Sequence, residues 1–194
     1  MIRFCDIVFS FFGLLLLSPL FVIVALWIVI DNPGPVFYRQ QRVGKDGKDF
    51  GLLKFRSMRV GADKMSLITI GERDPRVTRA GYYIRKYKLD ELPQLWNVLI
   101  GDMSLVGPRP EVRRYVNLYT PEQQQVLAVR PGITDYASIE YIDENRLLAQ
   151  SSNPDKTYIE EIVPAKITLN MRYIERQTLG EYFKIIVLTF YKLL

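Results

Sequence analysis

The sequence contains no histidine and one cysteine, Cys5. Histidine is the side chain that most often moves protons near neutral pH. Without it, any acid, base or nucleophile has to be carboxylate, lysine, tyrosine, serine or that single thiol. One cysteine excludes an internal disulfide and fits a reducing compartment. The two shortages together argue against a zinc site, while a hard cation held by oxygen stays open. There is no internal repeat and no low-complexity tract. No helix-turn-helix, zinc-finger or RNP pattern occurs, so nucleic acid is the weakest partner that a basic chain suggests.

What is present is a chain of 194 residues with a formal charge of +5, long enough for one domain with a core. The basic excess then points to an anionic membrane surface or to phosphorylated substrates. Residues Ile7 to Ile30 are almost continuously apolar, interrupted by Ser10, Gly13 and Ser18-Pro19. Such a run could cross a hydrocarbon core of about 30 Å. It is too long for a cleaved signal, has only Arg3 before it, and lacks a small-x-small cleavage site. A buried core helix is the plain alternative, but the run is apolar on every face. Ser18-Pro19 near its centre reads as a kink, because proline removes one backbone bond and a serine hydroxyl can satisfy the freed carbonyl. On physics alone a kinked span is the ordinary reading.

Asp31-Asn32-Pro33-Gly34-Pro35 is a breaker cluster, so the membrane segment is set at 1–32 and a globular domain at 33–194. Residues 36–40 and 50–55 read as strands joined by an Asp46-Gly47 turn. The stretch from Gly61 to Gly71 has no clear pattern and is expected to be a mobile loop. Residues 80–87 read as a helix with Tyr83, Ile84 and Tyr87 on one face. Thr120-Pro121-Glu122-Gln123 and Thr178-Leu179-Gly180-Glu181 are capping boxes. Helices are also expected from Ser152-Asn153-Pro154-Asp155, restarting at Pro164, and from Leu179 to the end. The last one carries Leu179, Tyr182, Phe183, Ile186 and Phe190 as an apolar stripe, for core packing or a membrane interface. The fold class is α+β, mainly helical, with one small hairpin and amphipathic helices.

The stretch with most chemical content is Arg85 to Glu111. Adjacent carboxylates, Asp90 and Glu91, precede an apolar run at helical spacing: Leu92, Leu95, Trp96 and Leu99. Pro93 fits the first turn of that helix, and Gly101 ends it. The carboxylates would then sit at a helix N-terminus, which favours ionised groups and attracts phosphate oxygens. Acidic residues at that place commonly do no more than cap. Here they are crowded by Arg76, Arg79, Arg85, Lys86 and Lys88 upstream and by Arg109, set between Pro108 and Pro110, downstream. A carboxylate pair ringed by cations suits phosphoryl chemistry. The cations hold phosphate oxygens while a carboxylate attacks phosphorus or binds Mg²⁺.

Leu89-Asp90-Glu91-Leu92-Pro93-Gln94-Leu95, followed by Gly101-Asp102-Met103-Ser104-Leu105-Val106-Gly107-Pro108-Arg109-Pro110, closely resembles the bacterial sugar transferases known as monotopic phosphoglycosyl transferases. Lys54-Phe55-Arg56-Ser57-Met58, Asp74-Pro75-Arg76-Val77-Thr78-Arg79 and Arg130-Pro131-Gly132-Ile133-Thr134 match in the same order. The resemblance covers nearly the whole chain, which looks like a minimal member without extra N-terminal domains.

The resemblance implies a reaction: a sugar-1-phosphate moves from a UDP-sugar to polyprenyl phosphate, usually undecaprenyl phosphate, and UMP leaves. It implies Asp90 as nucleophile at the β-phosphorus and Glu91 as helper. Mg²⁺ would be held by both, with Arg85 and Arg109 spreading the charge. Pro108-Arg109-Pro110 would hold uridine or its phosphate. Lys54, Arg56 and Arg76 would contact phosphate. The helix break at Ser18-Pro19 would make the membrane segment re-entrant, with both ends on the cytoplasmic side of the inner membrane and membrane lipid as a partner. Homo-oligomerisation is left open.

The chain departs from the family between 135 and 146, where Asp135 to Asn145 form an acidic, aromatic stretch. Ile142 stands where a loop arginine is usual, and Arg146 is a possible substitute. Asp143 or Glu144 is a candidate partner for an ammonium on an amino sugar. Two other readings stand beside the transferase: a membrane-bound Mg²⁺-dependent phosphohydrolase, and a non-catalytic basic membrane-binding protein.

Overall fold

The computed structural model describes residues 1–62 and 74–193. Most of the expected Gly61–Gly71 loop lies outside them. The chain begins with α1 (Ile2–Asp31), thirty residues and about 45 Å of helix at 1.5 Å per residue. Pro19 has no N–H, which leaves the Leu15 carbonyl without its helical donor. Ser18 Oγ donates to that carbonyl at 2.8 Å. The expected break at Ser18-Pro19 is therefore a single lost bond, made good locally, and the chain stays helical through it. Large apolar side chains face outward along the helix, among them Phe11, Phe12, Leu16, Ile23 and Ile30.

One seam of α1 is buried, and it packs against the rest of the chain. Val24 and Ile28 share a core cluster with Phe55, Ala80 and Ile84. Both branched side chains are nearly fully covered, at about 2 kcal/mol each from apolar burial. Polar contacts hold both ends. Near the N-terminus, Arg3 donates to the carbonyls of Val98 and Leu99 at 2.6 and 2.9 Å. Asp6 accepts from Ser104 Oγ, Leu105 N and Tyr182 Oη, each at 2.9 Å. At the other end Asp31 accepts from the Ala80 amide at 2.9 Å.

Strands β1 (Phe37–Val43) and β2 (Asp49–Phe55) form the expected hairpin, in register from Phe37 opposite Phe55 to Val43 opposite Asp49. Asp46 and Gly47 both take positive φ at the turn. Helix α2 (Arg79–Lys86) is capped by Thr78, whose Oγ1 accepts from Gly81 N. Ile84 is buried, but Tyr83 and Tyr87 are exposed, against the expected common face. Tyr83 instead stacks on Trp27 of α1, with ring centroids 5.9 Å apart.

Helix α3 (Gln94–Ile100) ends at Gly101 in the left-handed conformation. Its buried residues are Gln94, Asn97 and Val98, whereas Trp96 and Ile100 are exposed. The apolar stripe thus lies beside α1, where Leu95 approaches Gly13, and the polar side faces inward. Asn97 holds β2 by donating to the Gly51 carbonyl and accepting from the Leu53 amide, both at 2.9 Å.

A second sheet was not expected from the sequence. Strand β3 (Ser104–Val106) pairs in parallel with β4 (Gly132–Thr134). A Cβ on Gly132 would lie 2.1 Å from the Gly107 amide nitrogen, so glycine is required for the strands to meet. Short helices α4 (Arg113–Val116), α5 (Tyr136–Glu140), α6 (Glu144–Gln150) and α7 (Pro154–Thr157) follow. The Thr120 capping box forms, but it opens a 3₁₀ segment, Gln123–Ala128. A π turn, Tyr158–Ile162, leads into α8 (Val163–Glu175), with Pro164 in its first turn. In α9 (Leu179–Leu193) the expected stripe divides: Tyr182 is fully buried, while Phe183 and Phe190 are exposed; Ile185, outside that stripe, is fully buried as well. Phe183 meets Phe9 of α1 edge-on at 6.0 Å, so the exposed apolar faces of α1 and α9 adjoin.

Candidate active site

The Asp90-Glu91 pair lies in a 3₁₀ turn, Leu89–Glu91, between α2 and α3. Lys88, with φ 56°, turns the chain into it. A lysine in the left-handed region is strained by about 1 kcal/mol or more, and here that turn carries the carboxylates to a cavity wall. The expected helix N-terminus is displaced: α3 starts at Gln94 with Pro93 as its cap residue. Neither carboxylate hydrogen-bonds the first amides of α3 among the described residues, so capping does not account for them.

The cavity has a volume of about 600 Å³. Lys54, Arg56, Arg76, Arg85, Asp90, Glu91, Pro108, Arg109 and Pro110 all line it, which brings the expected catalytic and phosphate-binding candidates to one place. Their bonding divides them. Arg109 Nη1 donates to Glu91 Oε2 at 3.2 Å and Nη2 to Oε1, a bidentate fork. Lys54 Nζ lies 3.4 Å from Glu91 Oε1. Burial would raise Glu91, but Arg109 and Lys54 outweigh it and hold the carboxyl far below its usual range. Burial pushes Lys54 down more than Glu91 draws it up.

Asp90 differs. It is 9% exposed and, among the described residues, accepts no side-chain hydrogen bond and closes no ion pair. Burial and the neighbouring Glu91 charge raise its pKa; Lys54, Arg85 and Arg109 only partly offset them. The two carboxylates, adjacent in sequence, thus stand in different environments. Glu91 is a clamped anion, and Asp90 is the group with high proton affinity and a free lone pair.

Arg85 has no hydrogen bond or ion pair among the described residues and faces this cavity. Arg76 is bound to Asp74, with Nε and Nη2 2.9 and 2.5 Å from its oxygens. Arg56, expected at phosphate, lines the cavity and is also tied to the chain: Nη1 donates to Asn32 Oδ1 at 3.0 Å and Nη2 to the Asn32 carbonyl. It fastens the end of α1 to the cavity wall. Glu144 lines the cavity but is paired with Lys166 at 2.6 Å, so it already holds an ammonium. Asp143 and Arg146 are exposed and do not line the cavity, which corrects their candidacy for the donor.

Several residues in the cavity wall or directly behind it were not singled out from the sequence. Arg42 donates to the Pro110 carbonyl at 3.0 Å and to Glu111 at 3.2 Å, and Tyr158 Oη donates to the same Glu111. Asp135, buried, accepts the Arg109 amide at 2.6 Å. These groups fix the Pro108–Pro110 loop. The available signals were weak: Asp135 directly follows the Arg130–Thr134 motif, and Asn170 interrupts an apolar seam of α8 made by Val163, Ile167 and Tyr173.

No cluster of three or more metal-ligating side chains occurs among the described residues. Mg²⁺ often takes one or two carboxylates and completes its shell with water and substrate phosphate. The unpartnered Asp90 fits that pattern. Glu91 fits it only on release from Arg109 or Lys54.

Comparison with known proteins places this geometry. A family model described as bacterial sugar transferase matches residues 1–194. An Aeromonas hydrophila UDP-N-acetylgalactosamine-undecaprenyl-phosphate N-acetylgalactosaminephosphotransferase is 44% identical over 71% of the chain and 33% of its own length. UDP-glucose:undecaprenyl-phosphate glucose-1-phosphate transferases of Escherichia coli K12 and Caulobacter vibrioides are 36% and 35% identical over 96% of the chain. The chain spans 39% and 67% of those two relatives.

Proposed function

Since the chain belongs to the bacterial sugar transferase family, we propose that it transfers a sugar-1-phosphate from a UDP-sugar to undecaprenyl phosphate or a similar polyprenyl phosphate. The observation that carries this reading is the contrast at the dyad: a free, buried Asp90 beside a Glu91 clamped by Arg109 and Lys54, at a cation-lined cavity.

The diphosphate of the donor lies against Arg85, Lys54 and Arg109. An Asp90 oxygen attacks the β-phosphorus. The new bond joins carboxylate to phosphorus, and the bond from that phosphorus to the bridging oxygen breaks. UMP departs with the electron pair. An oxygen of polyprenyl phosphate then attacks the same phosphorus, forming a diphosphate and releasing the Asp90 carboxylate. Arg85 lines the cavity with no hydrogen bond or ion pair among the described residues, which leaves it to offset the charge of the equatorial oxygens. Glu91 orients Arg109 through two parallel bonds. When bound, Mg²⁺ neutralises donor phosphate charge, with Asp90 as its available protein ligand.

The membrane arrangement follows from the same body. A polyprenyl acceptor is insoluble in water, and α1 with the exposed face of α9 offers an apolar surface beside the cavity domain. Arg3 and Asp6 at one end of α1, and Asp31 at the other, bond to the same globular unit. Ends held by one globular unit favour a position of both on the same side of a bilayer. This supports the re-entrant form, with the catalytic residues on the cytoplasmic face of the inner membrane. The relatives use different sugars, so donor identity is to be settled by a UDP-sugar panel. The reading is tested by UMP release that requires both donor and polyprenyl phosphate. Release with water alone as acceptor would favour the phosphohydrolase, and no release the non-catalytic binder.

A further inference from the structure

Beyond Arg109 the cavity wall carries a polar group that the chemistry above leaves unused. Asn170 lies on the buried seam of α8, 5% exposed, and lines the cavity. Its Nδ2 donates to Asp135 Oδ2 at 3.0 Å. The same Asp135 oxygen accepts the Arg109 amide at 2.6 Å, and its other oxygen accepts the Ser138 amide. This fixes the orientation of the Asn170 amide, because a flipped one would set its oxygen against a carboxylate oxygen. Oδ1 is the atom left over. It is enclosed and has no hydrogen-bond partner among the described residues. A buried acceptor without a donor is uncommon and costly in a folded protein, and this one belongs to a side chain that borders the cavity, where a small turn of the side chain would present it to a ligand.

We propose that Asn170 Oδ1 is a specificity-determining acceptor for an N–H or O–H group on the uracil or the sugar of the donor nucleotide. The inference rests on the UDP-sugar reading of this cavity. Phosphate oxygens offer no proton at neutral pH, so the diphosphate is not its partner. Asn170 is joined through one carboxylate to the backbone of Arg109, while the Arg109 guanidinium faces Glu91. A whole arginine side chain therefore separates Asn170 from the dyad, which suits a ring flanking the diphosphate. Uracil presents N3–H, and cytosine has no proton there. Hexoses present hydroxyls and, when acetamido-substituted, an amide N–H. Tyr158 and Tyr119 line the same cavity and supply flat apolar surface.

The test uses full-length protein in detergent, in a base arm and a sugar arm. The base arm measures binding of UMP against N3-methyl-UMP. The sugar arm measures turnover of UDP-glucose and UDP-N-acetylgalactosamine against their single-deoxy and des-acetamido analogues. Wild type is expected to discriminate at least tenfold in one arm. Asn170→Ala and the shape-matched Asn170→Leu are expected to bring that ratio to within about twofold of unity, whatever their absolute activity. A purely structural Asn170 would lower binding in the variants and leave the ratio unchanged, which overturns the proposal. Equal handling of every analogue by wild type overturns it with no variant needed. Absence of polyprenyl-dependent UMP release would remove the catalytic reading but leave the UMP binding ratio standing, so the two failures are told apart.

Discussion

At the scale of single residues, two neighbouring carboxylates have opposite effects on stability. Asp90 has a raised pKa, so the folded state holds its proton more tightly than the unfolded chain does. Its contribution is lost as pH rises from the unfolded value through the folded one, and above that range the buried charge opposes folding. Glu91 has a depressed pKa, so its contribution is present above the unfolded value and is lost as pH falls towards the folded one. Asp90→Asn is therefore expected to raise the Tm at pH 7.5 by a few degrees while abolishing turnover. Glu91→Gln is expected to lower the Tm, since it leaves Arg109 and Lys54 facing a neutral group, at a cost of about 1–3 kcal/mol. Thermal scans from pH 4 to 8 check both signs, and both differences should shrink on acidification. The rate should also fall as pH drops through the Asp90 pKa, because in the proposed mechanism only the ionised form attacks phosphorus. A Tm shift of the same sign in both variants would contradict this picture of the dyad.

At the scale of elements, the site depends on β3 and β4, which hold Pro108-Arg109-Pro110 in place. Gly132→Ala would put a methyl within 2.1 Å of the Gly107 nitrogen and force the two strands apart. Expected are a loss of about 2–4 kcal/mol, as for other steric insults in tight packing, and at least a tenfold fall in kcat/KM, measured by denaturant unfolding and steady-state kinetics. The hairpin, α2, α3 and α9 were legible in the sequence, because turn chemistry, capping and periodicity are local. The β3–β4 pair was not: three-residue strands show no alternation, and their partners are 28 residues apart in register. The burial of α3 was misread for another reason. Its apolar stripe lies beside α1, not in the interior, so the polar residues Gln94 and Asn97 became the buried ones. The candidate site was legible as a set of residues but not as a set of partners. Nothing local to Arg56 foretells its bonds to Asn32, and nothing near Glu144 foretells Lys166. For α1, a cysteine placed at Ile2 in a Cys5→Ser background is expected to resist impermeant thiol reagents on intact cells. Labelling from outside would contradict the re-entrant arrangement.

At the scale of the whole molecule, the apolar helix, the exposed face of α9 and the charged cavity form one body, in which, under the proposed function, a water-soluble donor would meet a lipid acceptor. The proposed mechanism would need both substrates, and its donor half-reaction would leave a mark on the protein. The most direct test is the intact mass of wild-type and Asp90→Asn protein after incubation with an accepted UDP-sugar and Mg²⁺, without polyprenyl phosphate, followed by peptide mapping. The account predicts added phosphosugar mass on the peptide carrying Asp90 in the wild type, removal of that mass on adding polyprenyl phosphate, and no adduct in the variant. A wild-type protein that turns over its donor yet never carries that mass, together with an Asp90→Asn variant of normal rate, would contradict it.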